Sequence, residues 1–210
     1  ADVTGVQTCA LPIWGLVYSD GVKEWNPFVP PRGWLNPQNE IPILVFHSGY
    51  TKLLKNSFVY QYNIRFPVGI SLAEDLYFSF LIYFYCKKIY GIDKTYYYYF
   101  QNPLSAMHTF SEKKVQDEHW VVSEIEKFLF ENNKTEEWKA FLIAKKIQAK
   151  NNYIFKLPKP NYELWRKTFP EVTSTLICSS PFLFKMFFIL VNKKLDFVAN
   201  ILLYLRRRIR

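Results

Sequence analysis

The sequence predicts an α/β protein, in α+β form over the residues present, and three observations carry that expectation. Pieces rich in β-favouring residues crowd the first half, at residues 41–46, 89–92 and 95–100. A long apolar segment at 72–86 sits among them, and from about residue 111 the pattern becomes helical. Strands gathered before helices suit an α+β layout, here expected as a unit over 14–110 followed by a helical region over 111–210.

Residues 3–13, Val-Thr-Gly-Val-Gln-Thr-Cys-Ala-Leu-Pro-Ile, resemble the conceptual translation of a widely used sequencing adapter. The segment 1–13 is therefore expected to be non-native, with the native chain beginning near Trp14 and its N-terminal part missing. Residues 14–42 hold Asp20-Gly21, Asn26-Pro27, Pro30-Pro31-Arg32-Gly33 and Asn36-Pro37. Such dipeptides mark turns, so this stretch reads as an irregular loop anchored by Trp14, Trp25, Phe28 and Trp34.

Residues 41–46 read as a strand, 51–59 as a short amphipathic helix, and 63–69 as an extended piece ending in a turn. Residues 72–86 are apolar at nearly every position, as in a helix buried all round, and Lys87 and Lys88 suit the negative end of its dipole. Residues 89–92 and 95–100 read as two strands joined by Asp93-Lys94, the second containing the run Tyr96-Tyr97-Tyr98-Tyr99. Ser111 is placed to cap a helix reaching about Phe130. Thr135 with Glu136 and Glu137 opens another to about Phe155, stopped by Pro158 and Pro160. From Tyr162 the chain reads as short apolar helices broken at Pro170 and Pro181.

Half of the residues are apolar and 19% aromatic, which excludes general disorder. The 27 Lys and Arg against 18 Asp and Glu give +9, a balance that suits nucleic acid, anionic lipid or phosphate-bearing small molecules. No interleaved aromatic and glycine pattern of single-strand readers is present, so no nucleic-acid partner is expected. The three cysteines, Cys9, Cys86 and Cys178, lie far apart and suggest neither a zinc site nor a disulfide framework, in keeping with a reducing cytosol. No uncharged apolar run reaches the roughly 18–20 residues that cross a bilayer. The end from 182 to 210 alternates aromatic and aliphatic blocks with Lys185, Lys193 and Lys194 and closes on Arg206-Arg207-Arg208-Ile209-Arg210. It suits either an anionic membrane surface or a solvated helix end.

Phosphate loops, dinucleotide fingerprints, nucleophile elbows and zinc-protease motifs are absent from the sequence. What stands out is Glu74-Asp75 at the mouth of the apolar helix, two adjacent acids that are costly to bury. Ser71 and Glu74 have capping-box spacing, which accounts for Glu74 without chemistry. Asp75 is left over, and an ionised carboxylate there suits a general base.

Five blocks carry a resemblance: residues 50–59, 63–67, 73–78, 92–99 and Asn102-Pro103-Leu104-Ser105. In order and spacing they resemble the second half of bacterial family 2 glycosyltransferases of the GT-A fold. The likeness is closest over about 46–110. It implies a partial GT-A fold lacking the N-terminal nucleotide-binding half, and an inverting transferase that uses a nucleotide-diphosphate sugar. The acceptor would be a glycan or lipid-linked hydroxyl in surface polysaccharide or lipopolysaccharide assembly. Asp75 would be the catalytic base, with Glu74 shaping the acceptor site; Lys52, Ser105 and His108 are the substrate-binding candidates, His108 also the candidate to approach the diphosphate or its metal. The family uses a divalent cation, Mg or Mn, on an Asp-x-Asp motif, and no two aspartates here are so spaced. The chain by itself is therefore expected to be incomplete and inactive, cytoplasmic and peripheral to the inner face of the membrane. The alternative is a non-enzymatic membrane or partner-binding module, in which Glu74-Asp75 only caps a helix.

Overall fold

The computed structural model describes residues 10–37, 49–102 and 110–208. The expected strand at 41–46 lies outside the described residues. Strand β1 (Ala10–Ser19) organises a mixed sheet that curls into a half-barrel, and its first four residues, 10–13, belong to the segment expected to be non-native, with Ile13 buried in the core. Along one edge it runs parallel to β5 (Ile89–Phe100), from Ile13 opposite Gly91 to Ser19 opposite Phe100. Its other edge is shared: the first half pairs antiparallel with β4 (Lys52–Leu54), the second with β2 (Glu24–Phe28). The short β3 (Gly33–Leu35) pairs antiparallel with the start of β5.

The expected loop over 14–42 thus contains strands. The turn expected at Asp20-Gly21 forms, with the Asp20 carboxylate accepting the N–H groups of Val22 and Lys23 at 2.9 and 2.7 Å. Gly21 takes φ 90°, and the hairpin joins β1 to β2. The flanking residues are extended because β1 finds β5, about eighty residues on, a pairing with no local signature. Asp93-Lys94 likewise does not end a strand. β5 runs through it, and the register jumps from Trp14 opposite Ile92 to Gly15 opposite Thr95, leaving both residues in a bulge.

The helix expected over 51–59 divides into a 3-10 turn (Gly49–Thr51), β4, and helix α1 (Asn56–Gln61), because pairing with the beginning of β1 draws Lys52-Leu53-Leu54 into the sheet. Helix α2 (Glu74–Tyr85) lies where the apolar run predicts it, with Leu76, Phe80, Leu81, Ile82 and Tyr83 buried. Ser111 caps α3 (Glu112–Glu131), its hydroxyl accepting the Lys114 N–H at 3.3 Å. Residues 135–138 form turns, so α4 (Lys139–Phe155) starts later than expected. The helices break at the prolines as expected: α5 (Tyr162–Lys167), a 3-10 turn (Pro170–Val172), α6 (Thr173–Ser179), α7 (Phe182–Asn192) after Pro181, and α8 (Asp196–Arg208).

Two apolar clusters hold these layers. The first joins the sheet and α2 to the facing sides of α3 and α4, so it draws residues from both sides of residue 110. Phe80 is at its centre, edge-on to Phe128 and Trp138 at 5.6 and 5.2 Å. The second collects Val115, Tyr153, Trp165, Phe188, Val191 and Leu203 among the later helices, with Trp165 and Phe188 stacked at 5.7 Å.

Candidate active site at the mouth of helix α2

The chain enters α2 through Ala73, held at φ 69° in the left-handed region, with no side-chain cap. The capping box expected from Ser71 and Glu74 is not formed. Ser71 instead turns to Asp117 of α3, giving it both the backbone N–H at 2.9 Å and the hydroxyl at 2.6 Å. A carboxylate is the stronger acceptor, and it anchors Ser71 outside the helix. Glu74 and Asp75 are then the first two helical residues, both partly buried.

Burial pushes the Asp75 carboxyl up to about 6, and the neighbouring Glu74 charge adds to the rise. The Leu76 N–H, the Lys52 ammonium and its own N–H draw it back. The balance leaves a carboxylate roughly a hundredfold more basic than a free aspartate yet mostly ionised at neutral pH. That combination is what a general base requires.

Lys52 is brought to Asp75 from β4. It is buried, its Nζ donates to Ser79 on α2 at 3.3 Å and lies 5.5 Å from the centre of the Tyr83 ring. Burial lowers its ammonium to about 8, and Asp75 pulls it back up. The candidates Asp75, Glu74 and Lys52 therefore converge, whereas Ser105 and His108 lie outside the described residues.

Three further groups belong here. Tyr18 of β1 is raised by burial, by Tyr99 and by the Asp75 charge. It is also part of an aromatic row on the sheet: Trp25 lies 5.6 Å from Tyr18, Tyr18 is 5.4 Å from Tyr99, and Tyr50 stacks on Tyr97 at 4.2 Å and reaches Tyr99 at 5.8 Å. Lys145 of α4 is lowered to about 8 by burial and drawn back by Glu118 and Asp75. Glu118, raised by burial, accepts the Gln148 amide at 2.8 Å and the Asn152 amide. A signal for Lys145 existed in the sequence. It shares the buried stripe of α4 with Leu142, Ala149 and Tyr153 at helical spacing, where a cation is out of place. Tyr18 had none, since the parallel pairing of β1 with β5 brings it in.

The residues described do not fit the divalent ion that the resemblance implies. Among them, no group of three or more His, Cys, Asp or Glu is placed to hold a metal, and the Asp75 carboxylate has the Lys52 ammonium as its neighbour. No family model matches the chain, and neither a curated protein nor a solved structure matches it.

Proposed function

We propose that this chain is the acceptor-side part of an inverting glycosyltransferase of the family 2, GT-A type. It would transfer a sugar from a nucleotide-diphosphate donor to a hydroxyl of a glycan or lipid-linked acceptor in surface polysaccharide or lipopolysaccharide biosynthesis. One observation carries the reading: Asp75 is held at the mouth of α2 with its carboxyl raised to about 6, the acid that the resemblance makes the base. As base, Asp75 takes the proton of the acceptor hydroxyl. The freed oxygen bonds to the anomeric carbon from the face opposite the diphosphate, the bond from that carbon to the diphosphate oxygen breaks, and the nucleoside diphosphate leaves with the electron pair. The Leu76 N–H and the Lys52 ammonium hold the Asp75 carboxyl down against its burial.

The row of Trp25, Tyr18, Tyr99, Tyr50 and Tyr97, of which Tyr18 is within reach of the Asp75 charge, supports a sugar-bearing acceptor, since aromatic faces pack on the apolar faces of pyranose rings while phenols meet their hydroxyls. On this reading the donor half lies in an upstream part of the reading frame, and the reaction belongs to the cytoplasmic side of the cell membrane. Sequencing the uninterrupted gene and assaying its product test it together. A βαβ nucleotide-binding region with Asp-x-Asp upstream of Trp14 is expected, and Asp75→Asn in that protein is expected to abolish sugar transfer with the fold intact. Turnover retained by Asp75→Asn, or a gene that starts at Trp14, overturns the proposal.

A further inference from the structure

Helices α7 and α8 spend one apolar side on the protein and have a second one facing solvent. Phe187, Phe188 and Val191 of α7, with Ala199 and Leu203 of α8, fill the second cluster. That would complete an ordinary amphipathic helix, whose remaining face is polar. Here Phe182 and Leu183 of α7 are 75% and 68% exposed, and Phe197 of α8 is 78% exposed. Val198, Ile201 and Tyr204 continue the exposed face of α8 at one- and two-turn spacing, so the outward stripe is built rather than accidental.

The charge beside this stripe is of one sign. Asp196 is the sole acid after Glu171 in the sequence, and Arg166 holds it with two bonds at 2.7 and 3.1 Å. Lys185, Lys193 and Lys194 are exposed, and the sequence ends in a further arginine cluster. Asp196, taken up by Arg166, is the only acid among the described residues of these helices. We propose that α7 and α8 form a docking face for an anionic lipid surface, the two helices lying in the headgroup plane with Phe182, Leu183, Phe197, Val198 and Ile201 inserted and the lysines on lipid phosphates. Helices of 11 and 13 residues are too short to span a bilayer, and among the described residues no helix is long and apolar enough to do so. Lying flat is the geometry that remains for an apolar stripe flanked by cations. Each lysine near an anionic headgroup layer strengthens binding roughly fivefold. The inference is independent of the glycosyltransferase reading, because lipid binding is measured without turnover.

The test is flotation of the 210-residue chain with vesicles of phosphatidylcholine alone or mixed with phosphatidylglycerol, with far-ultraviolet dichroism and thermal melting confirming that each variant is folded. The chain is expected to float with the anionic vesicles and to stay behind with the neutral ones. F197D/I201D is expected to lose flotation while melting as the parent does, and K193E/K194E to weaken it by at least about twenty-five-fold. Binding unaffected by F197D/I201D overturns the proposal. So does absence of binding to anionic vesicles, and so does a concentration-dependent dimer abolished by F197D/I201D in a chain that never floats, which would assign the face to a second copy.

Discussion

Ser71 gives both its N–H and its hydroxyl to a single oxygen of Asp117, and this pair decides how the chain enters α2. Lys113 binds the same carboxylate at 2.8 Å. Burial works against the Asp117 charge, but Lys113 and the two Ser71 donors outweigh it and hold the carboxyl below its usual value. Asp117→Ala is expected to lower stability by about 1–3 kcal/mol at pH 7, since two donors lose a charged acceptor. A carboxyl depressed in the fold stabilises above its unfolded value and loses that contribution as the pH falls through its folded one. The gap between parent and variant in urea midpoint should therefore shrink below about pH 4. Equal midpoints at pH 7 would show that the pair does not hold the loop.

The raised carboxyl of Asp75 has the opposite sign. A group whose proton affinity is higher in the fold contributes stability below its unfolded value and loses it as the pH rises through its folded value, here about 6. At pH 8 the ionised Asp75 thus costs the fold energy, and Asp75→Asn is expected to stabilise it by about 1–3 kcal/mol. At pH 4 the two proteins should melt alike. A variant less stable than the parent at pH 8 would mean that Asp75 serves as a structural anion.

Lys52 tests the coupling directly. Its ammonium lowers the Asp75 carboxyl, so Lys52→Met is expected to move that carboxyl above 6. Carbon-detected NMR titration of the Asp75 side chain reads the shift, and an unchanged titration would separate the two residues.

Gly91 faces Pro31 so closely that a Cβ there would fall 2.0 Å from the Pro31 carbonyl oxygen. Backbone must move to admit it, and Gly91→Ala is expected to cost at least about 2 kcal/mol in chemical denaturation. Gly49→Ala is the control: its nearest neighbour is the Phe66 ring at 3.9 Å, and it should change stability by less than about 0.5 kcal/mol.

Local chemistry sufficed to determine a good part of this protein. The apolar run of α2, the Ser111 cap of α3 and the proline breaks at Pro170 and Pro181 act within a few residues of themselves, so they were legible in the chain. The oddity of Glu74-Asp75 was legible for the same reason, and so was the alternation of cations with apolar blocks in the last helices. Tertiary structure alone decided the rest. Parallel pairing with β5 made a central strand of β1, and pairing with β1 drew β4 out of the helix that its own pattern favours. The same long-range pairing delivers Lys52 and Tyr18 to Asp75, and the competition of Asp117 for Ser71 leaves the helix without a side-chain cap. Which face of α8 is buried was equally undecided in sequence, because its apolar residues lie on two sides and only packing against the second cluster chose between them. Spacing records what neighbouring residues prefer; where a charge sits depends on which distant strand or helix comes to enclose it.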